Sequence, residues 1–75
     1  QDHKVTFTRL PDEVIIRIYT LGGTFVKKLY KNDQTERMEW DLTNSSGKLV
    51  SSGIFIAHLD MPGIGKKIMK IGVVF

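Results

Sequence analysis

The chain contains no cysteine. That excludes a disulfide staple and a thiolate metal centre. No apolar stretch approaches the roughly 20 residues of a membrane-spanning helix, so membrane insertion is not expected. No charged and then apolar leader opens the chain, which starts Gln1-Asp2-His3 rather than with Met. A signal peptide is therefore either cleaved or was never present, and the expectation is a piece cut from a longer protein. Charge of one sign is also scarce. Eleven Lys and Arg stand against eight Asp and Glu, a net charge of +3. The two signs are interleaved, and only Lys27-Lys28-Lys31 and Lys66-Lys67-Lys70 form local basic clusters. A nucleic-acid binder more often shows a continuous basic stripe carrying aromatics, so no nucleic-acid partner is expected.

The chain's 75 residues make one small domain, because a second core needs more chain than this. A domain of this size buries only about 60–70% of the surface its unfolded chain exposes. Every strong apolar residue should therefore be in use.

What is present repeats with a period of two. In Glu13 to Thr20, Val14, Ile16 and Ile18 share one face, while Ile15, Arg17 and Tyr19 take the other. Met38, Trp40 and Leu42 alternate with Glu39 and Asp41. Phe55, Ala57 and Leu59 alternate with Ile54, Ile56 and His58, and Met69, Ile71 and Val73 with Lys70, Gly72 and Val74. This is the signature of half-buried strands, and no stretch sustains a helical period. Turn residues separate the runs: Pro11-Asp12, Gly22-Gly23 (read as a primed hairpin turn), Asn32-Asp33-Gln34-Thr35, Asn44-Ser45-Ser46-Gly47, and Pro62-Gly63-Ile64-Gly65. Gly53, just before a run, reads as a backbone kink or close approach.

Strands are expected near 4–10, 13–20, 24–30, 37–42, 48–51, 54–60 and 66–74. Seven short strands at this spacing predict an all-β fold, a seven-stranded antiparallel immunoglobulin-like (fibronectin III-like) β-sandwich. The inward set is Val5, Phe7, Val14, Ile16, Ile18, Val26, Leu29, Met38, Trp40, Leu42, Val50, Phe55, Ala57, Leu59, Met69, Ile71 and Val73. Trp40 should lie between the layers with its indole N–H near an acceptor. Ile15, Ile54 and Ile56 would form an apolar strip on the outer face.

No constellation demands chemistry. His3 and His58 are far apart in sequence and read as unrelated surface histidines. Ser45, Ser46, Ser51 and Ser52 lie beside turn glycines, without the strand-to-helix elbow a serine nucleophile requires. Asp41, Thr43, Asn44, Ser45 and Gly47 are oxygen-rich, but their spacing is not that of a calcium loop. Their expected work is local: Asp41 and Asn44 bond turn backbone, and Gly47 takes a positive φ. Gly63-Ile64-Gly65-Lys66-Lys67 resembles a phosphate loop only superficially, because a strand and not a helix follows. Asp12-Glu13 and Glu39/Asp41 are carboxylate pairs. The latter would sit about 7 Å apart on one strand face, with no cleft above them. Tyr19 and Tyr30 are the only tyrosines and are not expected to form a flat sugar-binding pair. No enzyme activity, cofactor or metal is expected.

Several segments, taken in order, carry a resemblance. They are Val-Thr-Phe-Thr-Arg-Leu-Pro (5–11), Val-Ile-Ile-Arg-Ile-Tyr-Thr-Leu-Gly-Gly (14–23) and Phe-Val-Lys-Lys-Leu (25–29). Then come Trp-Asp-Leu-Thr-Asn-Ser-Ser-Gly-Lys-Leu-Val-Ser-Ser-Gly-Ile-Phe-Ile (40–56) and Lys-Lys-Ile-Met-Lys-Ile-Gly-Val-Val (66–74). From Val5 to Phe75 the chain resembles the immunoglobulin-like carboxy-terminal domains of the type IX secretion sorting-signal family. That pattern is close to the immunoglobulin-like domain of the flagellar hook-capping protein. Family members often carry an Asn-Pro-rich segment before the first strand, which this chain does not show, and many have a polar or small residue where Met69 stands.

The resemblance implies a single domain over residues 1–75, at the carboxy-terminal end of a larger exported bacterial protein. It implies a non-catalytic sorting signal for secretion across the outer membrane and attachment at the cell surface. The localisation implied is secreted or cell-surface, by way of the periplasm. The partner would be the secretion machinery at the outer membrane or a neighbouring domain of the parent protein. The expected recognition strand is the last, with Lys66, Lys67 and Lys70. The alternative reading is a structural spacer or interaction module, hook-capping-like or appended to an extracellular hydrolase.

Overall fold

The computed structural model describes residues 4–75, and His3 lies outside them. Six strands follow in order: β1 (Val5–Phe7), β2 (Glu13–Thr20), β3 (Phe25–Asn32), β4 (Met38–Trp40), β5 (Gly53–Met61) and β6 (Gly65–Val73). β1 and β4 pair in a two-stranded sheet, and β3-β2-β5-β6 form a four-stranded one. All pairings are antiparallel. The chain is all-β, a small sandwich-like domain of two sheets.

The register follows from the alternation. Ile16 and Ile18 stand opposite Leu29 and Lys27 on β3 and opposite Leu59 and Ala57 on β5. These positions share the inner face, and Val14, Ile16, Ile18 and Ala57 are fully buried. Trp40 closes the core from the smaller sheet at 0% exposure, its ring edge-on to Phe55 with centroids 5.4 Å apart. Every residue expected inside is buried or packed against the core. Leu10 and Met61 join them. Burying one such aliphatic side chain stabilises by about 1.5–3 kcal/mol, which is how so short a chain offsets its lost conformational entropy.

Several expectations are corrected. Among the described residues the strands number six and not seven, because 48–51 forms no strand. A single bridge joins Thr43 and Leu49. The backbone there is committed locally, with Asn44 N–H donating to Lys48 O and Val50 N–H to Leu42 O. β4 stops at Trp40 because Leu42 adopts a φ of +63°. Asp41 is therefore outside the strand, and Glu39 and Asp41 do not share a strand face. β1 ends at Phe7 rather than residue 10, since Arg9 turns to a φ of +55° and Leu10 N–H donates to Glu36 O. The Gly22-Gly23 turn is not primed. Gly23 N–H donates to Thr20 O and only Gly23 of the pair has positive φ, at +96°, which is a type I turn with a left-handed residue after it. The ladder shifts between Ile18 and Tyr19, leaving Val26 as a bulge residue that is buried.

The expected loop chemistry is present around Asn44. Its Oδ1 accepts from the Ser46 and Lys48 N–H groups, and Gly47 takes a φ of +81°. Asp41 Oδ1 likewise accepts from the Thr43 N–H and hydroxyl.

Candidate functional site

The last hairpin starts in a turn that its sequence dictates. Pro62 fixes φ at the second position, Gly63 supplies +78° at the third, and Ile64 N–H donates to Met61 O at 2.9 Å. That is a type II turn. It launches β6, which pairs with β5 without a break from Gly65 opposite Met61 to Val73 opposite Gly53.

β6 is the margin of the four-stranded sheet. Its direction of bonding can be read from β5. Leu21 N–H donates to Ile54 O, so the Ile54 backbone faces β2 and that of Phe55 faces β6. The alternation of an antiparallel ladder then turns the backbone groups of Lys66, Ile68, Lys70 and Gly72 away from the sheet.

The three lysines singled out in the sequence all lie on this strand and all are exposed. They do not share a face. Lys66 stands opposite Asp60 and Lys70 opposite Ile56, on the outer face, with Ile68 between them at 66% exposure. Lys67 stands opposite the buried Leu59 and shares the inner face with Met69. Among the described residues these three lysines make no side-chain hydrogen bond or ion pair, unlike Lys4, Lys27 and Lys31.

A groove runs beside β6 where the two sheets part. It holds about 570 Å³ and is lined by Phe7, Leu10, Leu59, Met61 and Met69, with Arg9 and Lys67 among its charged neighbours. The opposite margin, β3, is treated differently. Ser45 N–H donates to Val26 O at 2.9 Å, and Lys27 Nζ donates to Thr43 Oγ1 at 2.7 Å. The 43–45 segment thus covers the start of that edge. Sequence reasoning missed the groove because its lining comes from separate stretches of chain, Thr6 to Leu10, Leu59 and Met61, and Lys67 and Met69.

The first basic cluster is not a surface patch. Lys31 is 2% exposed, and its Nζ donates to the carbonyls of Pro11, Asp12 and Asp33 at 2.8, 3.1 and 3.0 Å. The Asp33 carboxylate lies 3.1 Å away. Lys31 therefore ties the strap before β2 to the end of β3, and β-strand alternation was the missed signal, since its partner Val14 points inward.

His58 sits on the outer face, edge-on to Tyr19 with centroids 5.0 Å apart, and Tyr19 meets Phe25 at 5.8 Å in the same way. The tilted rings give no flat platform. Ile54 is exposed on this face, while Ile15 and Ile56 are half-buried. No group of three or more His, Cys, Asp or Glu able to hold a metal occurs among the described residues. Ser45, Ser46, Ser51 and Ser52 are exposed. Among the described residues three groups titrate away from their ordinary range. The Thr35 hydroxyl, then Lys31, holds Asp33 low, the Thr43 hydroxyl holds Asp41 low, and the hydrogen bond to Glu13 pushes Tyr30 up.

The fold is shared with part of PorZ. PorZ is an essential bacterial surface component of the type-IX secretion system of Porphyromonas gingivalis. The superposition has a TM-score of 0.66 at 15% identity and covers 96% of this chain. The chain spans 11% of PorZ's length. No protein-family model and no curated protein matches the sequence.

Proposed function

We propose that this chain is the non-catalytic, immunoglobulin-like carboxy-terminal domain of a larger exported bacterial protein, and that it is a sorting signal for outer-membrane secretion and surface attachment. The observation that carries the reading is β6, a nine-residue margin strand whose outward backbone groups and three lysines are unengaged by the rest of the described chain. Strand addition to such an edge is a common recognition mode, in which main-chain bonds supply affinity and side chains supply selectivity. The fold shared with part of PorZ, itself a component of a type-IX secretion system, is consistent with it. The partner would be an outer-membrane component of that machinery.

The test is export of a reporter. Residues 1–75 are fused to a periplasmic reporter in a host with type IX machinery. The comparison variant is Lys66→Glu/Lys70→Glu, because both side chains are exposed. Deleting the strand would be uninformative, since Ile71 and Val73 are core residues and their loss would unfold the domain. Surface display by the parent chain and its loss in a variant that still melts normally are expected. Retention of the parent fusion in the periplasm, or equal display of both, would overturn the reading.

A second reading, a spacer docked to a neighbouring domain, is favoured by the outer face, where Ile54 and Ile68 are exposed around half-buried Ile56. A parent reading frame that continues into another domain after Phe75 favours it, and a stop codon there favours the sorting signal.

A further inference from the structure

We infer that the β6 edge and the groove beside it form one docking site for an extended segment of a partner protein in which three apolar side chains are flanked by two acidic ones. The inference rests on the reading of β6 as the recognised strand and adds the chemistry of what it recognises.

The geometry assigns each position. A strand laid along β6 would bond the outward backbone groups of Lys66, Ile68, Lys70 and Gly72. Residues directly opposite one another in a ladder share a face. Those opposite Lys67 and Met69 would enter the groove against Phe7, Leu10 and Met61, and must be apolar to be buried there. Those opposite Lys66 and Lys70 would lie on the outer face beside two ammonium groups that have no partner among the described residues. The residue between them would meet Ile68, an apolar side chain 66% exposed.

Charge selects the occupant. Every ionisable side chain on β6 is a lysine, and Arg9 adds a further cation at the groove. A basic or neutral strand would bring like charges together or leave the lysines unmatched, which costs affinity and specificity. The required order is acidic, apolar, apolar, apolar, acidic, and it reads the same in both directions, so it serves a parallel or an antiparallel partner. The same lysines exclude the commonest wrong partner, β6 of a second copy, by like-charge repulsion.

The asymmetry of the sheet points to this edge and away from the other. On β3 the 43–45 segment already occupies the Val26 carbonyl. On β6 no such cover exists among the described residues, and the groove opens on the same side.

The probe is a ten-residue peptide with Glu-Val-Val-Val-Glu at its centre and Ser and Thr flanks, added to the full 75-residue chain and followed by amide hydrogen exchange and NMR titration. Saturable binding with new protection at the amides of Lys66, Ile68, Lys70 and Gly72 is expected. The same peptide with Lys at both acidic positions should bind about tenfold more weakly or worse, as should the first peptide to Lys66→Glu/Lys70→Glu. Thr8→Trp alters an exposed residue at the groove. It should block the inward side chains, with a similar loss and an unchanged melting curve. Protection on β3, equal binding of both peptides, or no saturable binding would overturn the inference. The assay contains no secretion machinery. Its failure beside successful export removes the docking mode and leaves the sorting signal standing. Binding as described beside failed export supports the docking mode and removes the sorting signal.

Discussion

The indole N–H of Trp40 donates to the carbonyl of Thr43 across 2.9 Å. The ring that fills the space between the sheets thereby also fixes the segment that turns back over β3. Trp40→Phe keeps most of the volume but leaves the Thr43 carbonyl without its donor, which should cost about 1–3 kcal/mol. Trp40→Ala should cost about 3–5 kcal/mol. Urea denaturation followed by circular dichroism measures both, and an unchanged midpoint in either variant contradicts the packing described.

Lys31→Met tests the buried ammonium. The methionine stem fits where the lysine stem lies, but three carbonyls aimed at one point lose their donor. A loss of about 1–3 kcal/mol is expected. Removing a desolvated charge works in the other direction, so a stability equal to or above the parent would show that the charge costs more than its bonds return.

The acid limb of stability should carry the signature of Asp33 and Asp41. Both carboxyls are held below their ordinary range in the folded chain, Asp33 first by Thr35 and Asp41 first by Thr43. The unfolded chain binds their protons more readily. Their stabilisation is whole above about pH 4, the unfolded value, and is lost as pH falls through the lowered values. Asp33→Asn/Asp41→Asn should therefore flatten the fall of melting temperature below pH 4 and leave its shape near pH 7 unchanged. An identical acid limb in parent and variant would contradict this.

Arg9 is exposed and holds a φ of +55°. A left-handed conformation costs a non-glycine residue about 1–2 kcal/mol, and glycine adds back part of that through the greater freedom of the unfolded chain. Arg9→Gly should raise stability by about 0.5–1 kcal/mol. A thermal melt decides the sign.

The core was legible in the sequence because strand periodicity is strict. Val14, Ile16 and Ile18 alternate with Ile15, Arg17 and Tyr19, and one pattern fixes both the face and the register. Trp40 and its need for an acceptor were legible for the same reason. The edges were not. Whether 48–51 pairs as a strand depends on Leu42 and Asn44 spending their hydrogen bonds locally, and leucine at positive φ defies its own preference. The division of Lys66, Lys67 and Lys70 between two faces follows from alternation alone and was available from the outset. The groove beside them was not, since it is made by two sheets diverging and not by any one segment.

Burial of one amine among eight lysines gives the molecule a chemical reporter of its own state. An acylating reagent meets the seven others in the native chain but reaches Lys31 only when the strap at Pro11 and Asp12 lets go. The rate at which that single side chain is labelled therefore reads the opening of one corner of the domain, residue by residue in a mass spectrum, without any engineered tag.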